Sequence, residues 1–176
     1  MKALLIYSSH DGQTYKIMKA IAEKVNGELD YDLVNLAEQP NVNLDAYEAI
    51  CFGAPIRYGY FNKQVKQFIH ANAEKLNNKK SAFYSVTLTA RKEGKNTPQT
   101  NNYTRKFLAK ITWQPKLAAA FAGALHYPEY RWLDRVMIQL IMKISGGVTD
   151  ATQDIEYTDW QKVDAFAEEF IALAKQ

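Results

Sequence analysis

Ala3-Leu4-Leu5-Ile6-Tyr7-Ser8-Ser9-His10-Asp11-Gly12-Gln13-Thr14 is an apolar run of strand length, then a short loop of hydroxyls, an acid and a glycine. A helical pattern follows at once: Ile17, Met18, Ile21, Ala22 and Val25 recur at the 3.6 period, and Gly27 marks the end. A buried strand feeding directly into an amphipathic helix is the opening of a β-α-β unit. The same alternation continues outward. Leu29, Tyr31, Leu33 and Leu36 predict a second strand, Ala49–Gly53 a third, and Ala82–Leu88 a fourth. Leu117–Leu125 reads as a fifth. Val65, Phe68, Ile69 and Leu76 lie on one helix, Tyr103–Ile111 forms another, and Val163, Phe166, Ala167, Phe170, Ile171 and Ala174 stripe the last. Strands separated by helices require right-handed crossovers, hence a doubly wound α/β fold with a parallel sheet and helices on both faces.

The chain has 176 residues, 47% hydrophobic and 23% charged, which is the size and core content of a single domain over 1–176. Cys51 is the lone cysteine and sits inside the third strand as a small hydrophobe, so no disulfide framework or cysteine-held metal is expected and a reducing, cytoplasmic setting fits. The apolar stretch after Met1 and Lys2 is too short for a signal-peptide core. The longest clean apolar run, Leu117–Leu125, falls far below the roughly 20 residues of a membrane span. His10, His70 and His126 are widely spaced and no carboxylate pattern suggests a metal.

Charge is uneven. Residues 1–55 hold 4 Lys/Arg against 8 Asp/Glu, residues 56–110 hold 12 against 2, and residues 148–176 hold 2 against 7. A basic middle either meets an anionic partner or solvates an exposed face. Nucleic acid is not expected, because no recognition motif accompanies the basic residues.

One segment breaks the rhythm. About 126–159 lies between the fifth strand and the last helix, where a minimal fold needs only a turn. Within it Arg131, Asp134, Arg135, Gln139 and Lys143 make a narrow polar stripe, and Trp132, Leu133, Val136, Met137, Ile138, Leu140, Ile141, Met142 and Ile144 fill the rest of the helix. That helix is a core element, an interfacial helix on anionic lipid, or a lid over the ligand site; its Trp, Arg and Lys composition favours contact with a membrane or a hydrophobic substrate, and the expectation is a lid that is also the membrane contact.

In such sheets ligands bind beyond the carboxyl ends of the strands. Ser9, His10, Asp11, Gly12, Gln13 and Thr14 form a loop at a helix N-terminus, suited to a monophosphate because the amides and the dipole converge on one anion. The plainer alternative is a helix start capped by Ser9 or Asp11. The loop has neither the lysine of a nucleoside-triphosphate loop nor the GxGxxG of a dinucleotide site. After the third strand come Pro55, Ile56, Arg57, Tyr58 and Gly59, with Tyr58 offering a flat face to a planar ring; the alternative is an aromatic rim packing its own loop. After the fourth come Ser85, Val86, Thr87, Leu88 and Thr89, then the basic Arg91 and Lys92. Three such loops suit a phosphate, a polyol and a planar heterocycle.

The first loop resembles the phosphate loop of flavodoxins, with Gln13 where asparagine is usual. More specifically, Asp11-Gly12-Gln13-Thr14, Ile56-Arg57-Tyr58-Gly59, Ser81-Ala82-Phe83-Tyr84-Ser85-Val86, Thr97-Pro98-Gln99-Thr100-Asn101, Ala122-Gly123-Ala124-Leu125, Leu140-Ile141-Met142-Lys143 with Ser145-Gly146-Gly147, and Tyr157-Thr158-Asp159-Trp160 resemble the menaquinone-dependent protoporphyrinogen dehydrogenases of bacteria, the HemG type. The resemblance runs through nearly the whole chain. It implies a flavodoxin-like fold with a five-stranded sheet in the order 2-1-3-4-5, one FMN, and oxidation of protoporphyrinogen IX to protoporphyrin IX in haem biosynthesis. Electrons would pass to membrane quinone, menaquinone or ubiquinone, from a peripheral position on the cytoplasmic face of the inner membrane.

Carried over by position, Ser9–Thr14 would hold the ribityl phosphate, Pro55–Gly59 one side of the isoalloxazine and Ser85–Thr89 the other. The fourth-strand loop has no aromatic, which leaves Tyr58 as the stacking candidate, and no general base stands out. Arg57, Arg91, Lys92, Tyr127, Arg131, Trp132 and Arg135 supply the cations and aromatic surface that an apolar macrocycle with two propionates needs; alternatively the arginines pair with local acids and the tyrosines pack the added segment. Low-potential flavodoxins resemble one another in being acidic, whereas this chain's pI is about 8.8. Positive charge near the flavin stabilises its reduced form, which suits an enzyme that takes electrons from an organic substrate. A nicotinamide-fed quinone reductase and a pure electron carrier are the other readings. The sequence is silent on oligomeric state and leaves room for a homo-oligomer.

Overall fold

The computed structural model describes residues 1–176, which fall into two compact units: Met1–Gly123 with Thr158–Gln176, and Ala124–Tyr157. In the first unit β1 (Lys2–Tyr7), β2 (Asp30–Asn35), β3 (Ala49–Pro55), β4 (Lys80–Val86) and β5 (Leu117–Phe121) form an all-parallel sheet in the order β2-β1-β3-β4-β5. The crossovers carry α1 (Gln13–Val25), α2 (Lys63–Asn77) and α3 (Asn102–Leu108), and α5 (Trp160–Lys175) closes the unit.

The near-continuous apolar runs follow from burial on both faces. Alternate residues of each strand feed two separate cores. Ala3, Leu5, Cys51, Ala82 and Tyr84 pack with α1 and α5, while Leu4, Ile6, Phe52 and Phe83 pack with α2 and the fully buried Trp113. Trp113 satisfies its indole by donating to Ser81 Oγ at 2.9 Å. Cys51 is buried as expected, and desolvation pushes its thiol well above the ordinary range, so it is inert.

Strand order reverses between β1 and β3, so the loops leaving these two strands diverge around a crevice. A side-chain-to-backbone contact ties β4 to the start of α1 beneath these loops. Tyr84 lies opposite Gly53 in register and its ring crosses the space a side chain at Gly53 would need, to donate from Oη to Thr14 O at 2.9 Å. A Cβ at Gly53 would overlap Tyr84 Cζ and Oη. The Gly53→Ala protein should therefore lose about 3 kcal/mol of stability by overpacking, read as a lowered denaturant midpoint at unchanged slope. A midpoint equal to wild type would show that the Tyr84 ring moves freely.

Several boundaries differ from the sequence reading, most of all in the fourth strand, the third helix and the fifth apolar run. β4 ends at Val86, because Thr87 Oγ1 accepts from Thr89 N at 3.4 Å and starts a 3-10 turn, Leu88–Arg91. Helix α3 stops at Leu108, short of Ile111. The apolar run 117–125 is two strands, not one: β5 ends at Phe121, and β6 (Ala124–His126) pairs antiparallel with β7 (Asp154–Glu156). An apolar run reports burial and is blind to a change of pairing partner. The three-residue β7 carried no periodicity from which to read it.

The second unit contains that β6–β7 pair and α4 (Trp132–Ile144). Helix α4 turns its polar stripe onto its own unit. Arg135 donates to Tyr127 O and Pro128 O, and Gln139 donates to Thr149 O at 2.9 Å. Only Ile138 and Met142 are buried, while Leu133, Val136, Met137, Leu140, Ile141 and Ile144 point outward at the i, i+3, i+4, i+7 spacing of one face. Within this unit the usual amphipathic arrangement is inverted.

Candidate functional site

The loop from β1 to α1 places its donors where the helix dipole is positive. The residue at the N-cap is Gly12, in the left-handed region at φ 87°, and no side chain caps the helix. Neither Ser9 nor Asp11 is the cap, so the plain capped-helix reading gives way. The first helical amides have no intrahelical acceptor by construction and remain aimed at the loop. Ser9 Oγ is buried without any hydrogen-bond partner. A buried hydroxyl left unsatisfied beside uncapped amides is costly unless an anion completes the set.

Neighbouring side chains hold this loop in place. Asn62, the N-cap of α2, donates to Ser8 Oγ at 2.9 Å, and Ser8 N donates to Gly53 O. Gln13 Nε2 donates to Thr158 Oγ1 at 2.8 Å, which passes the bond to Ala122 O. The Gln13 side chain is thus tied to the start of α5, while its backbone amide lies in the first turn of α1. Arg57 Nη1 lies 3.7 Å from Asp11 Oδ1, and His10 Nε2 also lies 3.7 Å from it. Arg57 offsets the one carboxylate that would otherwise repel an anion in this loop.

The β3 loop turns back through Arg57, Tyr58, Gly59 and Tyr60, with Arg57 and Tyr60 bridged in antiparallel fashion. Tyr58 has φ 49° and Gly59 φ 84°, so the turn holds a bulky aromatic residue in a conformation such residues avoid. The ring is 46% exposed with the Arg57 guanidinium 5.5 Å from its centroid. The turn thus presents a flat ring beyond the carboxyl end of β3. Gly59 is required twice, by its φ and because a Cβ would come 2.9 Å from Tyr103 Cε1. Pro55 and Ile56 are half-buried at the end of β3, and Ile56 N donates to Val86 O, zipping this loop to the next.

The β4 loop differs from expectation in which atoms it offers. Ser85 is fully buried and shares a 2.7 Å bond with Thr104 Oγ1, while Val86 is 5% exposed in the α1/α5 core. Their side chains are structural, so backbone is what they present. Thr87 is buried and shapes the turn; Leu88 and Thr89 are half-buried, with Thr89 Oγ1 accepting from Asn101 Nδ2 at 2.9 Å. Asn101, also the cap of α3, bonds Lys95 O as well and organises the whole loop. Arg91 folds back to Leu88 O, and Lys92 is half-buried beside it. Asn62, Tyr84 and Asn101 were not picked out from the residues themselves; the signal for the two asparagines was their place one residue before a helical pattern.

The remaining candidates belong to the second unit. Tyr127 is fully buried and donates from Oη to Val148 O, so it is a core residue there rather than a binding surface. Arg135 is spent on the carbonyls of 127 and 128, whereas Arg131 and Trp132 are exposed.

The family model of the flavodoxin domain matches residues 4–152. The protoporphyrinogen IX dehydrogenase [quinone] of Escherichia coli strain K12 is 45% identical over 98% of this chain and 96% of its own length. The enzyme of that name from Leishmania major is 47% identical over 98% of this chain and 75% of its own. This chain belongs to the protoporphyrinogen IX dehydrogenase branch of the flavodoxin family. Oxidised flavodoxin 1 from Bacillus cereus superposes with a TM-score of 0.59 at 16% identity, covering 98% of each chain, a likeness of fold. Membership makes a flavin the cofactor class of the site, and the fit is good: uncapped amides and an orphaned hydroxyl at one loop, an offered aromatic face at the other. No helix of the chain is long and apolar enough to cross a membrane.

Proposed function

We propose that this protein oxidises protoporphyrinogen IX to protoporphyrin IX with FMN as its cofactor and passes the electrons to a membrane quinone. The observation that carries the reading is the extent of the relationship: 45% identity to a protoporphyrinogen IX dehydrogenase over 98% of the chain, the second unit included.

FMN, when bound, supplies a two-electron acceptor that an organic C–H bond can reduce and a quinone can reoxidise. The chain's own residues do the rest. Ser9 Oγ and the amides of Gly12, Gln13 and Thr14 take the phosphate, Arg57 and Tyr58 cover one face of the ring, and the Thr87–Thr89 backbone borders the other. Arg57, Arg91 and Lys92 set a positive field at the ring, which favours its reduced form and so draws electrons from the substrate. The outward face of α4, with the exposed Trp132 at its start and exposed Arg131 and Lys143 at its ends, seats the protein on the anionic lipid of the inner membrane, where quinone is dissolved.

The decisive experiment is anaerobic. FMN-loaded protein is mixed with protoporphyrinogen IX, and porphyrin fluorescence is followed with and without a menaquinone analogue. Porphyrin should form faster than in protein-free buffer only when quinone is present. No acceleration with flavin demonstrably bound would overturn the reading.

A further inference from the structure

A groove of about 890 Å³ lies in the first unit between α2 and α3, and one end of it is the Tyr58–Gly59 turn. Apart from that turn, none of its lining residues was a candidate site residue from the sequence. Its volume is at the upper end of the roughly 300–1,000 Å³ usual for small-molecule sites. The floor is apolar, with Phe61 and Phe107 at 4.1 Å between ring centroids, and Tyr60 and Tyr103 stand exposed above it. Three ammonium groups rim it: Lys66 from α2, and Lys106 and Lys110 from α3 and its C-terminal turn. No aspartate or glutamate lines the groove.

The sequence builds this deliberately on two helices. Tyr103, Lys106, Phe107 and Lys110 stand at i, i+3, i+4 and i+7, so rings and cations share one face of α3. On α2, Lys66 and His70 are one turn apart on the facing side. Lys66 leans over the Tyr60 ring at 6.0 Å, and no carboxylate stands within ion-pair distance of Lys66, Lys106 or Lys110. Ordinary solvated lysines border polar surface. Here they border exposed aromatic rings, an arrangement that suits a ligand apolar in its body and anionic at its edge.

We propose that the groove binds the tetrapyrrole, its macrocycle against Tyr60, Tyr103 and Phe107 and its carboxylates among Lys66, Lys106 and Lys110. The identity of the occupant rests on the reading under Proposed function; the charge and shape of the groove do not. The Tyr58–Gly59 turn is common to the groove and to the loop proposed to cover the flavin ring, so the two sites would adjoin.

The test is direct binding of the stable product, protoporphyrin IX, to FMN-loaded protein, followed by porphyrin fluorescence, with its dimethyl ester as the uncharged comparison. The K66Q/K106Q/K110Q protein should bind the free acid about tenfold more weakly than wild type, close to the level of the ester, with FMN affinity unchanged. A control with Lys19, Lys116 and Lys162 changed to glutamine should bind as wild type does. Equal binding by the groove variant, or equal loss in the control, overturns the groove, as does a wild type that fails to bind; porphyrinogen turnover in that same wild type would leave the reaction standing. Lysine-dependent binding without any porphyrinogen turnover by wild type would instead overturn the reaction and keep the groove.

Discussion

Ser9→Asp is expected to leave the fold intact and to weaken FMN binding by about 100-fold or more. Ser9 Oγ is a buried hydroxyl with no hydrogen-bond partner in the protein, two residues past the end of β1 in the loop that leads to the uncapped start of α1. Aspartate at this place presents a carboxylate to the same donors, occupying the anion site from within. The phosphate then loses a charge-assisted hydrogen bond, worth about 1.5–3 kcal/mol, and meets like charge at close range. An acid at a helix N-terminus is itself favourable, so the apoprotein's thermal midpoint should hold or rise. Flavin fluorescence quenching on titration reads the affinity. Retention of FMN with wild-type affinity would show that the phosphate sits elsewhere.

The second large effect concerns α4. Leu133→Ser, Leu140→Ser and Ile144→Ser combined should abolish recovery with anionic lipid vesicles while FMN stays bound. These three residues are 67%, 52% and 79% exposed, so the substitutions remove little packing within the protein. Seated in an acyl boundary, each contributes about 1.5–3 kcal/mol of transfer, so losing three costs at least on the order of a thousandfold in partitioning. Quinone-dependent turnover with vesicle-borne quinone should fall with it, and turnover with a water-soluble quinone should not. Co-sedimentation at the wild-type level would overturn α4 as the membrane contact.

Much of this molecule is written locally. The apolar run of β1, the hydroxyl-and-glycine loop and the immediate helix are all contiguous, and alternation of strand and helix dictates a parallel sheet whatever the details. The two loops at the switch point were legible for the same reason, since each is a single segment following a recognisable strand. The inverted character of α4 was half legible: composition showed a helix too apolar for water, but which stripe turns inward depends on Tyr127 O, Pro128 O and Thr149 O, acceptors that only the folded unit assembles.

What required the tertiary structure was every relation between distant positions. Tyr84 reaching across Gly53 to Thr14, Ser85 turning to Thr104, Gln13 turning to Thr158 and Asn62 reaching Ser8 join residues from 19 to 145 positions apart. These bonds decide which atoms of the predicted loops face a ligand. The break of the fifth apolar run is of the same kind, because burial looks alike whether a strand pairs with β4 or with β7. The groove between α2 and α3 shows the limit most plainly: Lys66 and Lys106 are 40 residues apart, and each helix alone reads as a solvated charged face. Periodicity reports how a segment meets its surroundings, and only the packed chain determines what those surroundings are.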